Sequence, residues 1–352
     1  MMRSSTFSFL FEGLRAQLLT VLLTSSLLAA CSSDTPVDPL PPQPNVPCAG
    51  LQTGLESGKA PATLSETGLF QDISTRSLAA GVREFSPRYA LWSDAAVKRR
   101  YVQLPDGCQI DTSDMDHWVL PVGARLWKDF TAEGKLVETR FIARYGTGPK
   151  DFILGAYAWR ADGSDADYVA YGQTRAQGTG HDIPAAKTCK TCHSYLSEQA
   201  LGFSALQLSH EGSGVTLSTL VQEGRLTVAP AAAFKAPGNS VESAALGYLH
   251  ANCGNCHNST GIEFNNPFSL RLSVKDVNAA DTDTYRTGIG VAVEKFATPG
   301  ITRRIDPGNP QGSCVYHRMT IRGTEQQMPP TASHLTDPEG LALISEWISS
   351  MR

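Results

Sequence analysis

No stretch of this chain is long and apolar enough to cross a bilayer stably, which takes ~20 residues. The run that comes nearest, Gln17–Ala30, ends at Cys31. Strong charge of either sign is also missing. The formal net charge is −4, which argues against a general nucleic-acid binder. Charged residues are only 18%, against 41% hydrophobic residues, an ordinary balance for a chain that buries a core. At 352 residues there is room for about two domains. The cysteines lack zinc-ribbon spacing: the two Cys-x-x-Cys pairs lie much farther apart than the usual ~15–20 residues.

What is present begins with a targeting segment. Arg3 and Arg15 precede the short apolar run, the pattern of a signal peptide over 1–30. Its end, "LAAC", resembles the lipobox of bacterial lipoproteins. That resemblance implies that Cys31 is lipidated and that the mature chain is held at a bacterial membrane, facing periplasm or cell exterior. Each buried acyl methylene would contribute ~0.8 kcal/mol to that anchoring. Residues 31–50 are proline-rich and poor in apolar side chains, so they read as a tether. The globular part is expected to start near Leu51.

Residues 51–180 read as a β-rich module. "KRRYVQLP", "ARLWKDFT", "LVETRFIARY" and "DFILGAYAWR" are rich in aromatic and β-branched residues and are separated by "PDG", "AEG" and "ADG" turn signals. "WKDFTAEGKLVETRF" predicts a hairpin. Val137, Thr139 and Phe141 alternate with Glu138 and Arg140, the period of a half-buried strand. From 181 to 225 the pattern suits short helices, with Leu217, Leu220 and Val221 on one face. Residues 226–239 read as a linker. Over 240–352, Ser240 is a candidate cap for a helix through Asn252, and Asp337–Pro338 opens a last helix. The fold class expected is α+β: an N-terminal antiparallel β module with a short helical attachment segment, followed by a mostly α-helical domain.

Two segments repeat one motif: "CKTCH" at Cys189, Cys192 and His193, and "CGNCH" at Cys253, Cys256 and His257. Zinc would not explain the histidine after each pair. A thioredoxin-type dithiol needs a reactive thiol at a helix start in a βαβ context, which is missing. Covalent heme attachment explains both. Each pair of thiols takes the two vinyl groups of one porphyrin, and the adjacent histidine becomes the proximal iron ligand. Two heme c groups are expected.

For the second heme, Met328 in "TEQQMPP" is the candidate distal ligand, with Met319 as the spare. A thioether is a soft ligand that raises the potential. The region is similar to a monoheme cytochrome c domain. For the first heme the candidates are His181, His210, Met115 and His117, with His181 preferred, or an open position. His250, His317 and His334 read as surface or supporting groups. Cys48 and Cys108 are candidates for a disulfide in an oxidising compartment.

Residues from about 63 to 350 resemble a bacterial family of diheme c-type cytochromes, many of them predicted lipoproteins. The resemblance rests on "LSETGLF", "LWSDAAVKRRYVQLPDG", "WVLPVGARLWKDF", "VETRFIARY", "LGFSALQLS", "YLHANCGNCH", "IDPGNPQGSCVYHRM" and "MPP". It implies heme at both motifs and Met328 as a distal ligand. Cys314 and His317 depart from the family's pattern. The function expected is one-electron transfer with unidentified redox partner proteins and no nucleic acid. The alternatives are a diheme enzyme of peroxidase type with an open first site, and a partner- or glycan-binding module coupled to a cytochrome.

Overall fold

The computed structural model describes Cys48, residues 54–194, Leu196, and residues 199–261, 267–296, 298–331 and 333–352. The signal segment 1–30, Cys31, Leu51 and all of the 31–50 tether except Cys48 lie outside the described residues. A short hairpin, β1 (Phe70–Asp72) and β2 (Ser77–Leu78), precedes six strands: β3 (Arg83–Phe85), β4 (Val97–Gln103), β5 (Arg125–Ala132), β6 (Lys135–Arg144), β7 (Phe152–Trp159) and β8 (Ala166–Tyr168). These six pair in sequence order as one antiparallel sheet. Between β5 and β6 the chain turns through Glu133 (φ 50) and Gly134 (φ 76), the two positive-φ positions that a tight hairpin needs.

Period-two alternation gives the sheet two faces, and both are covered. One carries Tyr101, Trp127, Phe141 and Tyr157, packed under Leu64, Leu69 and Phe70 from the preceding segment. Trp127 stacks on Phe141 at 5.6 Å and donates its Nε1–H to Thr67 Oγ1. Burying each such large side chain stabilises by ~1.5–3 kcal/mol. The other face carries rows that run across the strands. Val102, Leu126 and Ile142 form one row, Arg100, Lys128 and Arg140 the next, and Lys98, Phe130 and Glu138 the third. The apolar row packs with Trp118, Phe203 and Leu208. The half-buried strand read from Val137, Thr139 and Phe141 is therefore covered on both sides. Glu138 is fully buried as well.

Among the described residues seven helices follow: α1 (Ala186–His193), α2 (Ala205–Leu208), α3 (Leu217–Gln222), α4 (Ser240–Asn252), α5 (Asp283–Gly288), α6 (Cys314–Thr320) and α7 (Pro338–Ser350). The expected fold class needs correction here. Residues 240–352 are not a mostly α-helical cytochrome c domain. Their four helices have 13, 6, 7 and 13 residues, and most of the remaining described chain is turn and loop. The Asn/Asp content of "LSVKDVN" and the glycine, proline and Asn/Asp content of "RRIDPGNPQGS" keep those stretches out of helices.

Both long helices have side-chain N-caps. Asn239, rather than Ser240, caps α4 by accepting from the Glu242 N–H, and Asp337 caps α7 by accepting from the Gly340 N–H. They pack together through Leu246, Leu249, Ile344, Trp347 and Ile348. Sheet and C-terminal part belong to one compact unit. Residues 226–239 run along its body: Leu226 bridges Ile110, the Phe234 N–H donates to Ser209 Oγ, and Ala236 is buried. Cys48 and Cys108 form a disulfide with Cα atoms 5.8 Å apart.

Candidate cofactor site

The first motif lies on α1, which packs against β7. On a helix, residues three and four apart share a face, so Cys189, Cys192 and His193 point the same way. Cys189 and His193 line a cavity between this helix and the charged rows of the sheet, with about 1110 Å³ of empty space including its open mouth. The lining also includes Ala251 and Asn255, close in sequence to the second motif's cysteines.

His193 is held in one protonation form. Its Nδ1 is 2.5 Å from the carbonyl oxygen of Gln199. A carbonyl only accepts, so Nδ1 carries the hydrogen and Nε2 keeps its lone pair. Burial lowers the ring's pKa to about 4, with Arg140 and Lys128 adding to the shift and the Gln199 bond opposing it. A neutral imidazole that donates Nδ1–H to a backbone carbonyl is the form in which histidine ligates a metal.

The second motif follows α4 directly. The N–H groups of Cys256 and His257 both donate to the Cys253 carbonyl, at 3.0 and 2.9 Å, so one more helical turn carries the motif. Gly254 is required there. A Cβ would lie 2.7 Å from the His250 carbonyl oxygen and 3.0 Å from the Leu270 carbonyl oxygen and the Arg271 Cα. Burial pushes the Cys253 thiol up to about 12, and the His257 ring meets Phe268 edge-on at 5.3 Å.

The fold brings the two motifs together. Cys192 Sγ lies 3.6 Å from Cys256 Sγ. That contact lowers the Cys192 thiol to about 7 against the effect of burial, with help from Arg140, whereas burial raises Cys189. The four thiols do not converge as a tetrahedral site would need. Among the described residues, no group of three or more His, Cys, Asp or Glu side chains is placed to hold a metal ion.

The candidate axial ligands fall in different places. His181 is buried, but its Nε2 is 2.7 Å from Glu138 Oε2 and it is not among the residues lining the cavity. His210 faces two carbonyls, Ser86 at 2.7 Å and Glu211 at 3.1 Å. Met115 Sδ accepts from Trp118 Nε1 and packs on the apolar core, and His117 is half-buried two residues away. Met319 is 6% exposed inside the C-terminal core. Met328 is half-buried in the loop after α6, outside every core cluster, with its N–H donating to the Arg318 carbonyl.

His317 packs on Phe296, Cys314 is buried in α6, and exposed His334 pairs with Asp182 at 2.9 Å. His250 is not at the surface. It is buried, lines the cavity, and accepts the Leu272 N–H at Nδ1, so Nε2 carries its hydrogen.

Sequence reasoning missed the charged wall of the cavity. Arg100, Lys128 and Arg140 line it. Their only sequence signal is that they alternate with core residues on three neighbouring strands. Glu138, fully buried, is hydrogen-bonded by Arg140 Nε at 2.6 Å and Nη2 at 3.1 Å. Burial alone would raise its carboxyl, but Arg140 and His181 outweigh that and hold it below the ordinary value.

No protein-family model, curated protein or solved structure matches this chain.

The residues present fit a covalently held heme at the first motif: two thiols and a neutral, oriented imidazole on one helix face beside a cavity. At the second motif the thiols and histidine are likewise set on one turn. Met328 is free of the core packing that commits Met319.

Proposed function

We propose that the chain is an exported, lipid-anchored diheme c-type cytochrome acting in one-electron transfer. The observation that carries the reading is His193. It sits on the same helix face as Cys189 and Cys192, lines the cavity, is kept neutral by burial, and is fixed by the Gln199 carbonyl on Nδ1, which leaves the lone pair on Nε2. Bound heme would supply a reversible one-electron iron couple. The chain's own residues do the rest. Cys189 and Cys192 would hold one group and His193 its iron; Cys253, Cys256 and His257 would do the same for the other. Met328 is the proposed second ligand at the latter site. The 3.6 Å contact between Cys192 and Cys256 makes whatever is held at one motif a neighbour of what is held at the other, which suits a relay. Lipid at Cys31 would keep the protein at a membrane surface beside redox partners.

The test is a redox titration of the purified protein followed by absorption. Two reversible one-electron transitions of low-spin heme support electron transfer. A high-spin heme that turns over peroxide would replace it with the enzymatic alternative.

The same cysteine contact supports a second reading. Two thiols 3.6 Å apart in an exported chain are placed to close as a disulfide. The motifs would then be a redox-labile crosslink, and the purified protein would show no heme absorption.

A further inference from the structure

The described residues leave the charge on this cavity wall only partly balanced. Arg100 on β4 is directly opposite Lys128 on β5, and Lys128 is directly opposite Arg140 on β6. Like charges facing each other across strands destabilise a sheet. The neighbouring row adds a fourth cation, Lys98, on the same face. The buried carboxylate in these two rows is Glu138, and it is already engaged by Arg140 and His181. Lys98 donates to the Leu91 carbonyl. Among the described residues, the side chains of Arg100 and Lys128 have no hydrogen-bond or ion-pair partner. Lys128 Nζ lies 4.8 Å from the centre of the Phe130 ring, and the Arg140 guanidinium lies 4.3 Å from it. Cation–π contact of this kind is worth ~0.5–2 kcal/mol, but it supplies no counter-charge. The cavity wall therefore presents a surplus of positive charge within reach of a ligand held at Cys189 and His193.

We propose that the Arg100–Lys128–Arg140 row is a carboxylate cradle, and that it receives the propionate carboxylates of the heme tethered at Cys189 and Cys192. The choice of propionates rests on the cytochrome reading above; the cradle itself rests on the cavity and the strand register. A guanidinium beside an ammonium on one sheet face matches two carboxylates, each on a short flexible stem: Arg100 offers a planar fork, and Lys128, whose pKa is pushed well down by burial and by the neighbouring cations, a point charge that a bound carboxylate would restore. Arg140 is oriented by Glu138 and adds field at the same wall.

The holoprotein is compared with Lys128→Gln, Arg100→Gln and, as a control on the opposite face of β4, Arg99→Gln. Heme content, both midpoint potentials, and thermal stability with and without sodium acetate or inorganic phosphate are measured. Removing a cation beside a propionate favours ferric iron. Each row variant should keep two hemes and lower one midpoint, by up to a tenfold change in the ferric-to-ferrous ratio (~59 mV for one electron). Arg99→Gln should leave both midpoints unchanged, and acetate should not stabilise the wild type. If acetate or phosphate instead stabilises the wild type saturably, and both row variants abolish the effect, the cradle stands and its ligand comes from solution. If the protein carries no heme yet shows that anion effect, the cytochrome reading fails and the cradle survives. Unchanged midpoints in both row variants, together with no anion effect, overturn the proposal.

Discussion

Glu138→Gln should be among the most destabilising near-isosteric changes in the sheet. The side chain is fully buried and receives three charge-assisted bonds, two from Arg140 at 2.6 and 3.1 Å and one from His181 at 2.7 Å. Glutamine keeps the shape but removes the charge that balances Arg140 beside Lys128 and Arg100. Breaking a buried pair from one side costs ~3–5 kcal/mol, because the partner is left uncompensated. The loss should appear in urea unfolding as a lower midpoint at nearly constant slope. Arg140→Met alone should also destabilise, but the double variant should lose clearly less than the two single losses together, with a coupling of ~1–3 kcal/mol. The pH dependence follows from the same pair. The folded carboxyl lies below its ordinary value of ~4.3. Its contribution is therefore fully present above ~4.3 and is lost as pH falls through the folded value. The wild type should lose that increment on acidification, and Glu138→Gln should not. A loss under ~1 kcal/mol, or strict additivity in the double variant, would refute the claim that Glu138 is the counter-charge of this wall.

Cys108→Ser should destabilise by ~4 kcal/mol, the loop-closure contribution for a separation of 60 residues, and reduction of the wild type should reproduce the loss; an unchanged unfolding midpoint would contradict it. Burial and the Arg100 charge lower Lys98 to about 8, so the unfolded chain binds more protons between pH 8 and ~10.4 and stability should rise across that window. Urea unfolding at pH 8 and 10 should show a smaller rise in Lys98→Met than in the wild type. Gly254→Ala should cost ~1–3 kcal/mol and reduce heme occupancy at the second motif, because its Cβ has no room against the His250 and Leu270 carbonyls; full occupancy by heme-peptide mapping would count against that motif as an attachment turn. Met328→Ala should abolish the weak methionine–iron charge-transfer absorption and Met319→Ala should retain it; the reverse pattern would move the ligand to Met319.

The parts of the fold that were legible in the sequence are those set by local chemistry. The "AEG" turn and its flanking alternation marked β5 and β6, and Asp337–Pro338 marked the start of α7. What failed was the step from two capped helices to a helical domain. Between α4 and α7 the chain is organised by nonlocal contacts, such as the Arg304 side chain on the Pro267 and Thr287 carbonyls. No periodicity announces such contacts. At the site, the residue types and spacing of both motifs were plain, but their 3.6 Å approach through Cys192 and Cys256 was not, because it depends on how α1 and α4 dock. The cationic row was hidden for a related reason. Arg100, Lys128 and Arg140 each look like a solvated strand residue, and only the register aligns them. In the sequence His181 reads as a loop ligand; the fold instead places Glu138, 43 positions earlier, on its Nε2.

The most direct test of the cytochrome reading is the intact mass of the mature protein, expressed with a heme-attachment system, beside the Cys189→Ala/Cys192→Ala and Cys253→Ala/Cys256→Ala double variants. The account predicts two covalent heme masses in the wild type and one in each double variant. A wild type with no heme mass, lighter instead by the two hydrogens of a Cys192–Cys256 disulfide, would contradict it.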